Sequence, residues 1–99
     1  GGTLEGSTKV IIKGGKVGWV YGGGEYDTVN GTARVTIHSG SKIWGNSAGS
    51  DSADAFNRGT VFGGGYGGTV NKTEVTLLGG DFGWAYGGGN GSTVTSTNN

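Results

Sequence analysis

Chemistry at a protein site needs nucleophiles, titratable pairs or metal ligands at workable spacing, and this 99-residue chain has few of them. His38 is the one histidine, and cysteine is absent. His38 falls on the polar side of an alternating run, with no serine, cysteine or carboxylate at a spacing that builds a dyad or triad. Without thiols there is no zinc thiolate, disulfide or cysteine nucleophile. Asp51 and Asp54 lie in one Ser- and Ala-rich stretch and are candidates to contribute to a calcium site. Two carboxylates are few, and the regular oxygen-ligand spacing of a dedicated calcium loop is missing. Glycine triplets occur at 22–24, 63–65 and 87–89. Strand-forming residues follow them, not a helix start with a Lys-Ser/Thr pair, so they do not read as phosphate loops. The expectation is a protein that is not an enzyme, with no catalytic residue, no metal and no cofactor.

What remains is the chemistry of contact. In VGWVY (17–21) and FGWAY (82–86), period-2 alternation puts Val17, Trp19 and Tyr21 on one face, and likewise Phe82, Trp84 and Tyr86. If the small residues between them point inward, Trp19, Thr60 and Trp84 form an outward ladder beside Tyr21, Phe62 and Tyr86. Such a stripe is a candidate contact surface for a sugar ring or a neighbouring filament. If the aromatics point inward they are core instead. Both arrangements are open, because the chain has little other bulk to bury. Three N-x-S/T sequons, at Asn30, Asn71 and Asn90, are candidate glycosylation sites. Asn30 and Asn71 occupy the same place in a repeat and are expected to stack, facing outward, as sugar acceptors or as a hydrogen-bonded ladder.

The elements that position these residues follow from a repeat. Thr-Val pairs at Thr28, Thr69 and Thr93, with Thr3-Leu4 as a fourth, each follow a run of glycines. Thr3 to Thr28 is 25 positions and Thr69 to Thr93 is 24, whereas Thr28 to Thr69 is 41. The unit is thus about 24–25 residues, with an insertion of about 16 in the second copy, roughly residues 45–60. Asp51, Asp54 and Phe56 mark that insertion as a candidate loop, which Phe56 is expected to pack onto the body. Each unit carries a Thr-Val-Asn segment, then an alternating run (KVIIK, RVTIH, EVTLL), a Gly-Gly or Ser-Gly turn, and an aromatic segment ending in GGG. Alternation sets Val10 and Ile12, Val35 and Ile37, and Val75 and Leu77 on one inward face. No 3.6-residue pattern or helix cap stands out.

Three short strands in about 24 residues are too few for a propeller blade, which needs about 40 residues and four strands. They suit one rung of a parallel β-helix. The expected fold is therefore all-β: a single β-solenoid domain over 1–99, about four rungs, with the loop inserted at 45–60. The composition fits such a rung. There are 26 glycines for sharp corners, and Val, Ile, Leu and Phe total only 19 residues, enough for a thin core. Net charge is zero, which gives no field for nucleic acid. No run approaches the length of a membrane span, so neither nucleic acid binding nor membrane insertion is expected. The chain opens on Gly1 and not Met, which points to processing or to a longer parent chain.

The pattern VYGGG…TV…V-x-I-x-GG resembles the glycine-rich right-handed parallel β-helix repeat proteins of bacterial cell surfaces. The resemblance covers nearly the whole chain outside the insertion. It implies an extracellular or cell-surface location and adhesion, shielding or fibre formation, without a defined ligand. GGGEYDTVN is similar to half of the glycine-aspartate nonapeptide of calcium-binding β-rolls, but the other copies, GGGYGGTVN and GGGNGSTVT, have no aspartate. The leading expectation is an extracellular structural protein, a segment or subunit that stacks head-to-tail on copies of itself. The alternative is an adhesin-like module that binds glycan through the aromatic stripe or the 45–60 insertion.

Overall fold

The computed structural model describes residues 2–52 and 58–89 in full and 93–98 as backbone. The protein is all-β. Its strands are β1 (Thr3–Leu4), β2 (Thr8–Ile12), β3 (Gly15–Val17), β4 (Val20–Tyr21), β5 (Thr28–Ile37), β6 (Ser41–Ile43), β7 (Thr60–Phe62), β8 (Thr69–Leu77), β9 (Trp84–Tyr86) and β10 (Thr93–Asn98). The described residues add one 3-10 turn, Gly45–Ser47, at the start of the insertion.

Every strand pair is parallel, and partners are equivalent residues of neighbouring repeats, apart from one register shift between Val29 and Thr32. One sheet has the order β1-β5-β8-β10, with β2 also on β5; a second is β3-β6; a third is β4-β7-β9. Parallel neighbours cannot be joined by a tight hairpin. The chain meets this by passing through the second and third sheets before it returns to the first.

Pairing builds columns. Leu4, Val29, Val70 and Val94 align, as do Val10, Val35 and Val75, and Ile12, Ile37 and Leu77. The core is centred on the second repeat, where Val35, Ile37, Ile43 and Val61 are fully buried. Val29, Ala33 and Val70 form a second cluster. The Thr-Val-Asn segment and the alternating run, which read as two strands, are continuous in β5 and β8, though still separate in the first repeat as β1 and β2.

The aromatic segment departs from the expected alternation. KVGWVY is not one strand: β3 ends at Val17 and β4 begins at Val20. The chain bends at Gly18, and again at the equivalent Gly83. Alternation survives only within an uninterrupted strand. Val17 and Phe82 therefore pack against the core instead of sharing a face with the tryptophans.

The GGG corners are held by close backbone stacking. The Gly22 N–H donates to the Phe62 carbonyl (3.0 Å), and the Gly63 N–H to the Tyr86 carbonyl (2.8 Å). A Cβ on Gly63 would lie 2.6 Å from the Gly87 carbonyl oxygen and 2.9 Å from Val75 Cγ2. The corner is also tied to the first sheet. Thr73 Oγ1 donates to the Gly87 carbonyl, and Thr8 Oγ1 to the Gly22 carbonyl, each at 2.7 Å and each 14 residues along. Thr73 is fully buried, so this bond also satisfies its hydroxyl. Overpacking against backbone leaves little room for relief, so Gly63→Ala is expected to lower the unfolding free energy by about 1–3 kcal/mol. At Gly14 an added methyl group would meet nothing within 4 Å, and φ is not positive, so Gly14→Ala should shift stability by less than about 1 kcal/mol. Urea unfolding of the two variants beside the parent checks the contrast.

Candidate contact surface

The third sheet decides where the aromatic residues face. Val20 and Val61 are buried and Ala85 packs against the core. Their neighbours along β4, β7 and β9 must then project outward. Tyr21, Phe62 and Tyr86 align across the three strands. Their rings stack, with centroids 4.9 Å apart at 5° for Tyr21–Phe62 and 5.7 Å apart at 19° for Phe62–Tyr86. The physical reason is simple. In-register parallel strands repeat every 4.8 Å or so, which lies within the range of offset ring stacking. Tyr66 extends the patch, edge-on to Tyr21 (6.1 Å) and to Tyr26 (5.7 Å). Tyr26 holds a positive φ of 57°, fixed by an N–H bond to the Tyr66 carbonyl at 2.8 Å.

Beside this stack runs a second column with a gap. Thr60 pairs with Trp84, and Trp19 precedes Val20, the partner of Val61. The order across the sheet is thus Trp19, Thr60, Trp84. Both tryptophans are 49% exposed. They line one cleft together with Thr60, Arg58 and the first turn of the insertion.

The third tryptophan behaves differently. Trp44 is buried, and its Nε1–H donates to Asp81 Oδ2 at 3.0 Å. Lys16 and Lys42 each place their ammonium 5.2 Å from its ring centroid, a cation–π arrangement. Arg58 forms an ion pair with the other Asp81 oxygen, with Nε 2.7 Å from Oδ1. This cluster anchors the start and end of the insertion. Backbone bonds finish the job: Gly45 N–H to the Gly18 carbonyl, Gly59 N–H to the Ile43 carbonyl, and Gly83 N–H to the Gly59 carbonyl, each at 2.9 Å.

No family profile, characterised protein or solved structure matches this chain.

The remaining candidates are dispersed. Asp51 is exposed, with Lys16 Nζ 4.0 Å away, while Lys16 also donates to the Ser50 carbonyl at 2.6 Å. Asp54, Phe56 and Asn90 lie outside the described residues. Among the described residues no three metal-ligating side chains converge. Asn30 is exposed, and its Nδ2 donates to both Glu5 carboxylate oxygens at 2.9 Å. Asn71 is also exposed. The expected Asn30–Asn71 stack is interrupted, because the register jumps from Val29↔Val70 to Thr32↔Lys72. Asn30 and Gly31 together oppose Asn71, a β-bulge with one extra residue in β5. Trp44, Tyr26, Tyr66, Arg58 and Asp81 were not singled out by sequence. Only the tyrosines had a legible signal, since both follow a GGG triplet at similar spacing.

Among the described residues, Phe62 is the one ring stacked on both sides. Phe62→Ala should therefore lose about 1–3 kcal/mol from the two ring pairs, in addition to buried area. Tyr86→Ala, which removes one of those two pairs, should lose less. Denaturant midpoints of the two variants, measured side by side, check the order.

Proposed function

We propose that the chain is a parallel β-helix of about four rungs that serves as an extracellular structural protein, stacking head-to-tail into a filament or surface stalk. The observation that carries this reading is the gradient of burial along the columns. In the Ile12–Ile37–Leu77 column the second-repeat residue is fully buried and both ends are more open. At one end Leu4 is 44% exposed, and Val10 and Ile12 are half-buried. At the other end Leu77 is 44% exposed, and it lines an open cavity of about 300 Å³ with Val75 and Ala85.

The edges support the same reading. Among the described residues, β2 pairs only with β5, β3 only with β6, and β4 only with β7. At the far side β9 pairs only with β7, and β10 reaches no further than Glu74, leaving Val75 to Leu77 without a described partner beyond them. Because all strands run the same way, the two edges present matching rows of unpaired N–H and C=O groups. Such edges invite another chain. An end-to-end contact between unlike faces does not close on itself and yields a fibre. Further repeats of a longer polypeptide would cover the ends in the same manner.

Electron microscopy and sedimentation of the chain test the proposal. Filaments, or a concentration-dependent polymer, are expected. Leu77→Lys puts an ammonium into the end column. It should raise the critical concentration at least about tenfold, since burying an unpaired charge costs several kcal/mol. Leu78→Lys, at a side chain 61% exposed, should leave assembly intact. A native chain that stays monomeric at high concentration, or equal assembly of Leu77→Lys and the parent, overturns the proposal.

A further inference from the structure

The cleft between Trp19 and Trp84 holds about 500 Å³ and, among the described residues, lies where the aromatic face lacks a ring. In the neighbouring column every repeat supplies a ring, and the stack Tyr21–Phe62–Tyr86 is closed. In this column the middle repeat supplies Thr60. Equivalent positions of Trp19 and Trp84 are therefore separated by two strand spacings, about 9.6 Å. That is twice a stacking distance, so one ring of a ligand can lie between or across the two indoles.

The walls say what kind of ring. Asn46, Ser47 and Ser50, from the first turn of the insertion, line the cleft opposite Thr60. All four are neutral groups able to give or take hydrogen bonds. Arg58 also lines it, but its charge is matched by Asp81 at 2.7 Å. The site thus combines two half-exposed apolar ring faces with a neutral polar rim. A pyranose has the complementary surface: axial C–H groups on its faces and hydroxyls around its edge. A planar aromatic ligand would leave the polar rim unmatched, and an acidic sugar would find no uncompensated cation there. The two-spacing gap is also close to the length of a disaccharide in an extended β-linked chain, so successive indoles would meet alternate sugars.

We infer that the Trp19–Thr60–Trp84 cleft is a binding site for a neutral β-linked hexose polysaccharide, with the rim of the insertion reading its hydroxyls. This site lies on the side of the molecule, on the outer face of the third sheet. It is independent of stacking at the ends and would be repeated along any filament.

Cellohexaose and β-mannohexaose, titrated into the full chain, are suitable probes, with intrinsic tryptophan emission as the readout. Trp44 is buried and bonded to Asp81, so changes report on Trp19 and Trp84. A saturable shift of emission is expected with at least one of the two. Trp84→Ala should weaken binding about tenfold or more, the loss of one aromatic contact. Thr60→Trp fills the gap with a third ring. It should weaken binding by at least a similar factor while the chain keeps its native circular dichroism. No saturable shift with either oligosaccharide overturns the inference, as does undiminished binding by a folded Thr60→Trp chain.

Discussion

Strict register between parallel neighbours is the constraint on which the rest of this structure depends. Residues one repeat apart must face each other at about 4.8 Å. A residue type chosen once is then constrained by its copies above and below. Valine on valine gives the columns of the core, such as Val29 on Val70 and Val35 on Val75. Tyrosine on phenylalanine on tyrosine gives a ring stack. Glycine on glycine gives a corner where backbones touch, and no side chain fits between Gly63 and the Gly87 carbonyl. Core, aromatic face and corners are consequences of one spacing.

That constraint also explains what was legible in the sequence. Spacing alone yields the columns Leu4/Val29/Val70/Val94 and Ile12/Ile37/Leu77, and the aligned Tyr21, Phe62 and Tyr86, because register carries each residue onto its copy. Whether that aromatic column faced inward or outward was not legible. It depends on the bends at Gly18 and Gly83, which restart the alternation of β4 and β9 and free Val17 and Phe82 to fill the core. A glycine in an apparent strand does not announce whether it is a bend. The bulge at Asn30-Gly31 was hidden for a similar reason: the first two repeats have equal length there, and only pairing with β8 exposes the extra residue. Trp44, Arg58 and Asp81 were hidden because they belong to no column. They meet only once the insertion closes, across 37 and 23 residues.

The insertion sits where the ladder can best tolerate it. The second repeat has neighbours on both sides and contains the fully buried core residues Val35, Ile37, Ile43 and Val61. Closing a longer loop costs little extra, because the entropy grows only with the logarithm of length. What matters is that both ends rejoin the ladder in register. Gly45 bonds back to Gly18, and Gly59 bonds to Ile43 on one side and receives Gly83 on the other. The corner of the repeat is preserved while some dozen residues leave and return through it.

Closure of that loop and the missing ring at Thr60 are linked by geometry. The insertion re-enters the sheet at Gly59, so Thr60 is the first residue of β7 and stands beside the loop's own first turn. In the first and third repeats no loop overhangs this position, and a tryptophan occupies it. A tryptophan in the second repeat would have to share its space with Asn46, Ser47 and Ser50, which line the same cleft. The small, polar Thr60 leaves that space open between two indoles. Thus the one repeat that breaks the period both interrupts the aromatic column and supplies the polar groups that border the interruption. A perfectly regular ladder would have closed the column into a second ring stack with no recess.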